Sequence, residues 1–284
     1  MPLSAAAASL LLDKVGALMQ NVQLTDGTMV ACLHRNEALV LDQHVQGYFS
    51  QGVDVLPGDV VFDIGANIGL FGIRAMQRSA GQARVFAFEP IPPIFDVLQA
   101  NTKSHGGGAF SAYRFGISSN AGQAEFTYFP NTPSLSTKNP EILADNAEAL
   151  GRMVAGTMEA PPKRLWYTAL VPGFVTPLIV RMMKRGAQRI SCELRSVSGM
   201  IDALQLDRVD VLKVDAEGAE LEVLAGIRDE HWARFRGVIC EVHDVDSRIA
   251  MVCQLFQDKG FAQVIAQHEA SMDHAPLAII FASR

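Results

Sequence analysis

The clearest chemical feature of this sequence is a buried strand that ends in a glycine turn and opens a helix. Residues 60–69 read VVFDIGANIG, and helical periodicity follows to residue 78. Glycines lack the Cβ that would keep a nucleoside away from the backbone, and open α/β sheets bind ligands at the carboxyl ends of strands where the strand order reverses. Glu89 ends the next predicted strand, 24 residues after Gly65, an interval that suits hydrogen bonds to ribose hydroxyls. These features predict a site for an adenosine-containing cofactor.

The same segment favours S-adenosylmethionine over a nicotinamide dinucleotide. The dinucleotide fingerprint is G-x-G-x-x-G, but Asn67 stands where its second glycine should be. A carboxylate at Asp63 could attract the ammonium group of a methionine moiety and would repel a pyrophosphate. A dehydrogenase would also need a unit such as Tyr-x-x-x-Lys, and none of the four tyrosines has a lysine four residues later.

An ordered set of further motifs resembles one known family. The set comprises FDIGANIG from Phe62, FEP from Phe88 with Leu98 and Asn101 downstream, LKVDAEGAE from Leu212, and EVH from Glu241. On these motifs the chain resembles the FkbM family of S-adenosylmethionine-dependent methyltransferases, over about residues 59–284 without the insertion described below. The resemblance implies a Rossmann-like class I methyltransferase fold, α/β, with a seven-stranded, mostly parallel sheet. It also implies methyl transfer, usually to a hydroxyl oxygen of a sugar, a lipid, or a polyketide or peptide natural product.

The resemblance assigns roles to six cofactor-binding residues. It implies that Asp63, Gly65 and Asn67 surround the methionine portion of the cofactor and that Glu89 binds the ribose. It implies that Ile117 and Ser118, after the third strand, lie near the adenine.

In this fold the strands that end at Asp215 and Glu241 are neighbours, so these carboxylates and His243 should meet at the rim that faces the transferable methyl. We expect His243 to be the general base, worth roughly 10²–10⁴-fold in rate, with Asp215 either orienting it or taking its place. His243 could equally be a structural residue with satisfied hydrogen bonds. The three side chains could also hold a divalent ion such as magnesium, but no spacing rule selects a metal, and it is the less favoured reading.

Alternating strand and helix patterns must position these residues. The predicted strands are 60–64, 84–88, 110–115, 124–129, 210–214, 238–242, 261–266 and 277–282, and the predicted helices between them are 68–78, 93–103, 219–226 and 247–259. Alternation of this kind predicts a doubly wound parallel sheet. Residues 58–284 are therefore the expected methyltransferase domain. Residues 1–57, with a predicted hairpin at 22–33 and helix at 39–49, are expected to form a cap or docking segment.

The α/β rhythm breaks over residues 130–189, which we interpret as a helical insertion. Helices are predicted at 141–158 and 176–185, on either side of Pro161-Pro162. Residues 134–189 carry eight basic and four acidic side chains, a local charge of 8 − 4 = +4 on a chain of net charge −6. The insertion could be a lid over the acceptor whose basic face meets an acidic carrier protein or an anionic lipid, or a surface hairpin that only shields the sheet.

Composition limits the remaining possibilities. The 284 residues are 49% hydrophobic, so the chain can bury a sizeable core, and its net charge of −6 argues against a nucleic-acid partner. The cysteine spacing shows neither a disulfide framework nor a zinc site, which favours the cytoplasm. The uncharged residues 166–180 are too few to span a bilayer, and residues 1–14 favour an amphipathic helix over a signal peptide. Two functions remain: an O-methyltransferase, and a non-catalytic nucleotide-binding scaffold or carrier-protein docking domain.

Overall fold

The computed structural model describes residues 19–142, 147–159, 161–268 and 277–284. The helix predicted within residues 1–14 therefore lies outside the described residues, as does part of the helix predicted at 141–158. In chain order the strands are β1 Gln20–Gln23, β2 Met29–Cys32, β3 Val60–Ile64, β4 Arg84–Phe88, β5 Phe110–Tyr113, β6 Gly116–Ile117, β7 Gly122–Tyr128, β8 Gln188–Arg195, β9 Val209–Val214, β10 Phe235–His243, β11 Gln263–Gln267 and β12 Leu277–Ser283. The α-helices are α1 Arg35–Gly47, α2 Leu70–Arg78, α3 Pro92–His105, α4 Ala147–Glu159, α5 Thr176–Met183, α6 Val197–Ala203, α7 Glu220–Ala225, α8 Asp229–Trp232 and α9 Arg248–Asp258.

Seven strands form the central sheet, in the order β11-β12-β10-β9-β3-β4-β5. All are parallel except β12, which pairs antiparallel with both β10 and β11. The chain runs from β3 outward to β4 and β5, then crosses to the other side of β3 at β9, so the strand order reverses between β3 and β9. The expected Rossmann-like methyltransferase fold with a seven-stranded, mostly parallel sheet is confirmed, and its ligand crevice should lie beyond the carboxyl ends of β3 and β9.

Alternate residues of the buried strands contribute to two hydrophobic cores, one on each face of the sheet. Val61 of β3 belongs to the core formed with the β1-β2 hairpin, α1, α2 and α3. Its neighbour Phe62 belongs to the core formed with α6, α7, α8 and α9. This division follows from the two-residue period of a strand buried on both faces.

The N-terminal hairpin and α1 are part of the first core. Asn101 of α3 ties the hairpin to the loop after β3: its amide group donates to the carbonyl of Ala31 at 3.0 Å and to that of Ile68 at 2.7 Å, and its oxygen accepts from the Ala31 amide at 2.8 Å. Arg74 of α2 donates to Asp42 of α1, with Nε and Oδ1 3.0 Å apart. Residues 19–57 thereby help to fix the loop that follows β3.

A second, three-stranded sheet with the order β6-β8-β7 carries the insertion. The antiparallel pairing of β7 with β8 ends at Tyr128 opposite Gln188, and the insertion leaves and re-enters the fold at this point. Its apolar side chains, among them Leu150, Val154 and Ile179, form a small core of their own. Within the described ranges no single helix is both long and apolar enough to cross a membrane, although Lys163–Leu170 and Gly173–Met183, bent by 90°, meet that criterion as a pair.

Candidate active site

The glycine turn after β3 is shaped by a close approach of two backbone segments. Gly65 has a φ of +68°, and its amide donates to the carbonyl of Phe88 at 3.1 Å. A Cβ on Gly65 would lie 1.7 Å from the carbonyl oxygen of Asp215. The loop after β9 therefore requires the lack of a side chain at Gly65, and the idea that this glycine also makes room for a ligand stays a prediction.

Glu89 lies at the end of β4, beside the same turn. Its carboxylate accepts hydrogen bonds from the backbone amides of Asn67 at 3.2 Å and Ile91 at 3.0 Å. Burial raises the pKa of Glu89 to about 7, although the two amides oppose that rise. The side chain of Asn67 accepts from the Ile68 amide at 2.7 Å, so this residue holds the turn in shape.

Asp63 is fully buried and does not line the cleft described below. Its Oδ1 lies 3.2 Å from Nζ of Lys213 on the neighbouring strand β9. Lys213 also donates to the carbonyl of Gly65 at 2.8 Å and lies 3.4 Å from Oδ2 of Asp215. Burial alone would lower the pKa of Lys213, but the charges of Asp63 and Asp215 hold it above its usual value. Asp63 can thus influence a ligand only through Lys213.

A cleft with about 950 Å³ of empty space lies beyond the carboxyl ends of β3, β4 and β9. Its walls come from the loop after β3, from Glu89 to Ile91, from Ile117, and from the α1 side chains of Leu41, His44 and Tyr48. Ser134, Ser136 and Lys138 of the insertion close one side, and Lys213, Asp215 and Glu217 another. Five of the predicted site residues line this cleft together: Gly65, Asn67, Glu89, Ile117 and Asp215.

Ile117 and Ser118, the two residues predicted near an adenine, point to different places. Ile117 lines the cleft. Ser118 is buried behind it and donates from Oγ to Glu222 at 2.8 Å. Only Ile117 is therefore placed to touch a ligand in the cleft through its side chain.

Asp215 and Glu241 lie at one rim, as predicted, but they are connected by Tyr48, the residue directly after α1. The hydroxyl of Tyr48 is 2.7 Å from Oε2 of Glu241 and 3.2 Å from Oδ2 of Asp215. Nε2 of His44, one turn earlier on α1, is 2.6 Å from the same Glu241 oxygen. A phenol has one proton to donate, and the shorter distance assigns it to Glu241.

The two carboxylates of this rim differ in acidity. Burial opposes ionisation of Glu241, but its interaction with His44 lowers its pKa to about 2. Burial raises the pKa of Asp215 in spite of Lys213, and the charge of Glu241 adds to the rise. Burial and the two carboxylates hold the pKa of Tyr48 well above its usual value, so its hydroxyl stays protonated. Glu241 is therefore a fixed anion, and Asp215 is the group able to take up a proton.

His243 shares a face of β10 with Glu241, as predicted, but it lies away from the cleft. Its Nε2 is 3.7 Å from Glu217 and its Nδ1 is 3.7 Å from Glu220. Burial would lower the pKa of His243, but these two glutamates raise it to about 9. An imidazole that is already protonated at neutral pH cannot accept a proton, so the geometry argues against the expected role of His243 as general base.

Sequence reasoning missed three side chains of this site: His44, Tyr48 and Lys213. Lys213 gave a signal, since a lysine near the end of a fully buried strand requires a partner for its charge. His44 and Tyr48 are four residues apart, which places them on one helix face. Nothing in the sequence linked that face to Glu241, which is 197 and 193 residues away.

The described residues include no group of three or more histidine, cysteine, aspartate or glutamate side chains arranged to hold a metal ion. The predicted trio is split: Asp215 and Glu241 share Tyr48, whereas His243 faces Glu217 and Glu220.

Comparison with known proteins identifies the family. Residues 63–262 match the family model described as the methyltransferase FkbM domain. The chain is 32% identical over 257 residues to the 31-O-demethyl-FK506 methyltransferase FkbM of Streptomyces tacrolimicus, covering 88% of this chain and 92% of that protein. It is 36% identical over 210 residues to methyltransferase sdnD of Sordaria araneosa, covering 71% and 73%. Among solved structures, precorrin-6y C5,15-methyltransferase from Geobacter metallireducens GS-15 aligns with a TM-score of 0.41 at 14% identity, over 86% of this chain and 87% of that one. The chain belongs to the FkbM family of methyltransferases.

Proposed function

We propose that this methyltransferase transfers the methyl group of S-adenosylmethionine to a hydroxyl oxygen of a natural product, a sugar or a lipid. The observation that carries the proposal is the cleft at the strand-order reversal, where Glu89, Asp215 and Glu217 line a common space with the glycine turn. Carboxylates of this kind suit a cofactor with a positively charged sulfonium and ammonium. The relative from Streptomyces tacrolimicus, whose name specifies an O-demethyl acceptor, supports oxygen as the acceptor atom.

The residues of the cleft fit the parts of such a cofactor. Glu89 is the candidate partner of the ribose hydroxyls, and Ile117 offers an apolar contact for the adenine. Gly65 and Asn67 offer backbone to the methionine part, with Asp63 acting behind them through Lys213. When bound, the cofactor supplies an electrophilic methyl group. The chain's own residues then need to align the acceptor oxygen with it and exclude water.

Asp215 is the proposed general base. It lines the cleft, and its raised pKa prepares it to accept the proton of a hydroxyl group. Glu217 also lines the cleft and has a raised pKa, but it faces His243, whereas Asp215 contacts Tyr48 and Lys213. Once protonated, Asp215 can donate from Oδ2 to the oxygen of Tyr48, whose own proton is directed to Glu241. Lys213, 3.4 Å away, keeps the carboxylate in place between turnovers. His243 is reassigned to a positioning role, since its charge holds Glu217 and Glu220 beside the rim.

Calorimetry tests whether the cofactor binds, and turnover measurements test whether Asp215 is the general base. The protein should bind S-adenosylmethionine and S-adenosylhomocysteine, and binding of NAD alone would refute the proposal. Asp215→Asn should lower the transfer of labelled methyl to a hydroxylated acceptor by roughly 10²–10⁴-fold while S-adenosylhomocysteine affinity changes little. Asp244→Asn, an exposed aspartate just past β10, is the matched control. If both variants keep full turnover, positioning alone drives the reaction. If the wild type binds cofactor but methylates nothing, the scaffold function replaces catalysis.

We further propose that the acceptor arrives on a carrier protein with an acidic surface, and that the enzyme works in the cytoplasm. Three apolar side chains of the insertion, Trp166, Leu170 and Phe174, are 64%, 72% and 81% exposed. Exposed basic residues, Lys163 and Arg181 among them, lie in the same segment. Reversing both charges should raise KM for a carrier-bound acceptor and leave KM for the free acceptor unchanged. An equal effect on both forms would exclude carrier docking here.

A further inference from the structure

A second cavity lies next to the cofactor cleft and takes no part in the function proposed so far. It has about 930 Å³ of empty space and is lined mainly by apolar side chains of the insertion and of α1. Leu135, Val154 and Ile179 contribute branched aliphatic groups, and Met153, Met158 and Met183 contribute thioethers. Methionine side chains adapt to irregular apolar shapes, so this lining suits a lipophilic molecule.

One face of α1 forms a wall of both cavities. Glu37 and Val40 line the second cavity, and Leu41, His44 and Tyr48 line the cleft. Glu37, Leu41, His44 and Tyr48 follow each other at spacings of four, three and four residues, so they share that face. Ser134 borders both spaces, and its amide donates to Glu37 at 2.8 Å. A molecule in the second cavity would therefore lie directly beside the rim that carries Asp215.

The wall of the second cavity holds two buried polar atoms without a hydrogen-bond partner among the described residues. They are Oγ1 of Thr132, a residue only 9% exposed, and Nδ1 of His34. The Nε2 of His34 lies 2.7 Å from the carbonyl of Pro130, which can only accept, so Nε2 carries the proton. In the neutral ring, Nδ1 is then an acceptor that lacks a donor. Buried polar groups in native proteins nearly always have partners, and a ligand could supply these two.

We infer that the second cavity binds the body of the methyl acceptor, and that this acceptor is a lipophilic, largely aliphatic molecule carrying a hydroxyl or amide donor. The apolar body lies among the methionines, the donor satisfies His34 and Thr132, and the hydroxyl to be methylated reaches past Ser134 toward Asp215. No lysine or arginine among the described residues lines this cavity, and burying an anion without a partner is costly, which disfavours an anionic ligand. This inference rests on the proposed methyl transfer and adds the class of acceptor and the place that selects it.

Primary alcohols test the site without knowledge of the natural acceptor. Calorimetric titration with 1-hexanol, 1-octanol and 1-decanol should show affinity rising about fourfold per methylene, because each adds apolar area to the cavity. Decanoate should bind at least about tenfold more weakly than 1-decanol, because no lysine or arginine of the described wall offsets the loss of its hydration. S-adenosylhomocysteine is titrated in parallel, so that loss of cofactor binding, which would refute the methyltransferase proposal, is distinguished from loss of alcohol binding alone.

Two variants locate the alcohol. Met183→Trp fills the cavity from a half-buried position of α5 and should weaken the binding of 1-decanol at least about tenfold. Leu178→Trp adds the same side chain at an exposed position of that helix and should leave 1-decanol binding unchanged. Thr132→Val keeps the shape and removes Oγ1. This variant should weaken the binding of 1-decanol about fivefold. Its melting temperature should not fall, because the hydroxyl has no hydrogen-bond partner among the described residues. Cofactor binding with no alcohol binding, or equal losses in both Trp variants, would overturn the inference.

Discussion

We expect the burial of Glu89 to make cofactor affinity depend on pH. In the free enzyme its pKa is about 7, and ribose hydroxyls bond better to the ionised form, so binding below pH 7 must first release a proton. Affinity for S-adenosylhomocysteine should be about tenfold weaker at pH 6 than at pH 8. Glu89→Gln should bind more weakly and with no such slope, and Glu193→Gln, an exposed control, should keep the wild-type slope. A slope that persists in Glu89→Gln would assign the titration to another group.

The same carboxyl group affects stability in a defined direction. Its folded pKa lies above the ordinary value of 4.5, so its contribution to stability is fully present below pH 4.5 and is lost as the pH rises to about 7. The glutamine variant removes this loss.

Gly65 should be the glycine least tolerant of a side chain in the site, for a reason that lies in the protein itself. Gly65→Ala places a methyl group against the carbonyl of Asp215, whereas Gly58→Ala, with a similar φ of +86°, meets open space. Gly58→Ala should cost about 1–2 kcal/mol of unfolding free energy from its left-handed backbone alone. Gly65→Ala should cost a further 1–3 kcal/mol or so from overpacking. Urea denaturation measures both, and equal costs would contradict the close approach of the two loops.

At the scale of elements, α1 and the residue that follows it, Tyr48, complete the rim that carries Asp215 and Glu241. Tyr48→Phe removes only the hydroxyl that joins Glu241 to Asp215 and should lower turnover by roughly 10–100-fold. Affinity for S-adenosylhomocysteine should stay within about twofold. Tyr113→Phe, at the end of β5, is the matched control, because it removes a tyrosine hydroxyl that lies outside the cleft. A change in cofactor affinity equal to the change in turnover would mean that Tyr48 only supports the fold.

The central elements were predictable because each carries a local signal. Runs such as residues 60–64 are apolar and bounded by turn residues, which is why the strands of the central sheet were found. Two strands were missed: β6 is two residues long, and only Cys192 and Leu194 are buried in β8. The placement of Asp215 and Glu241 at one rim followed from strand order. The environment of His243 could not be predicted in this way, because the pKa of His243 depends on glutamates of the loop and helix that follow β9.

At the scale of the whole molecule, hydrogen bonds from the first residues of the insertion hold it against the loop after β9. Thr137 donates to the carbonyl of Glu217 at 2.6 Å, and Asn139 donates to that of Gly218 at 3.1 Å. Replacing residues 143–186 with a short Gly-Ser linker keeps these contacts and should leave S-adenosylhomocysteine affinity within about threefold, while turnover of the acceptor is lost. Normal turnover by the shortened protein would show that the insertion has no role in acceptor binding or access.

The bond between Tyr48 and Glu241 also determines when the enzyme can become active during its synthesis. Tyr48 is translated early, but Glu241 follows 193 residues later, and β10, which carries it, pairs along seven residues with β12. Contacts of such sequence separation form late, because the intervening chain must be ordered first. We therefore expect the rim to become stable only after the ribosome has released residues 277–283. A nascent chain that has formed the glycine turn after β3 and α1, but not yet β12, should be unable to methylate an acceptor.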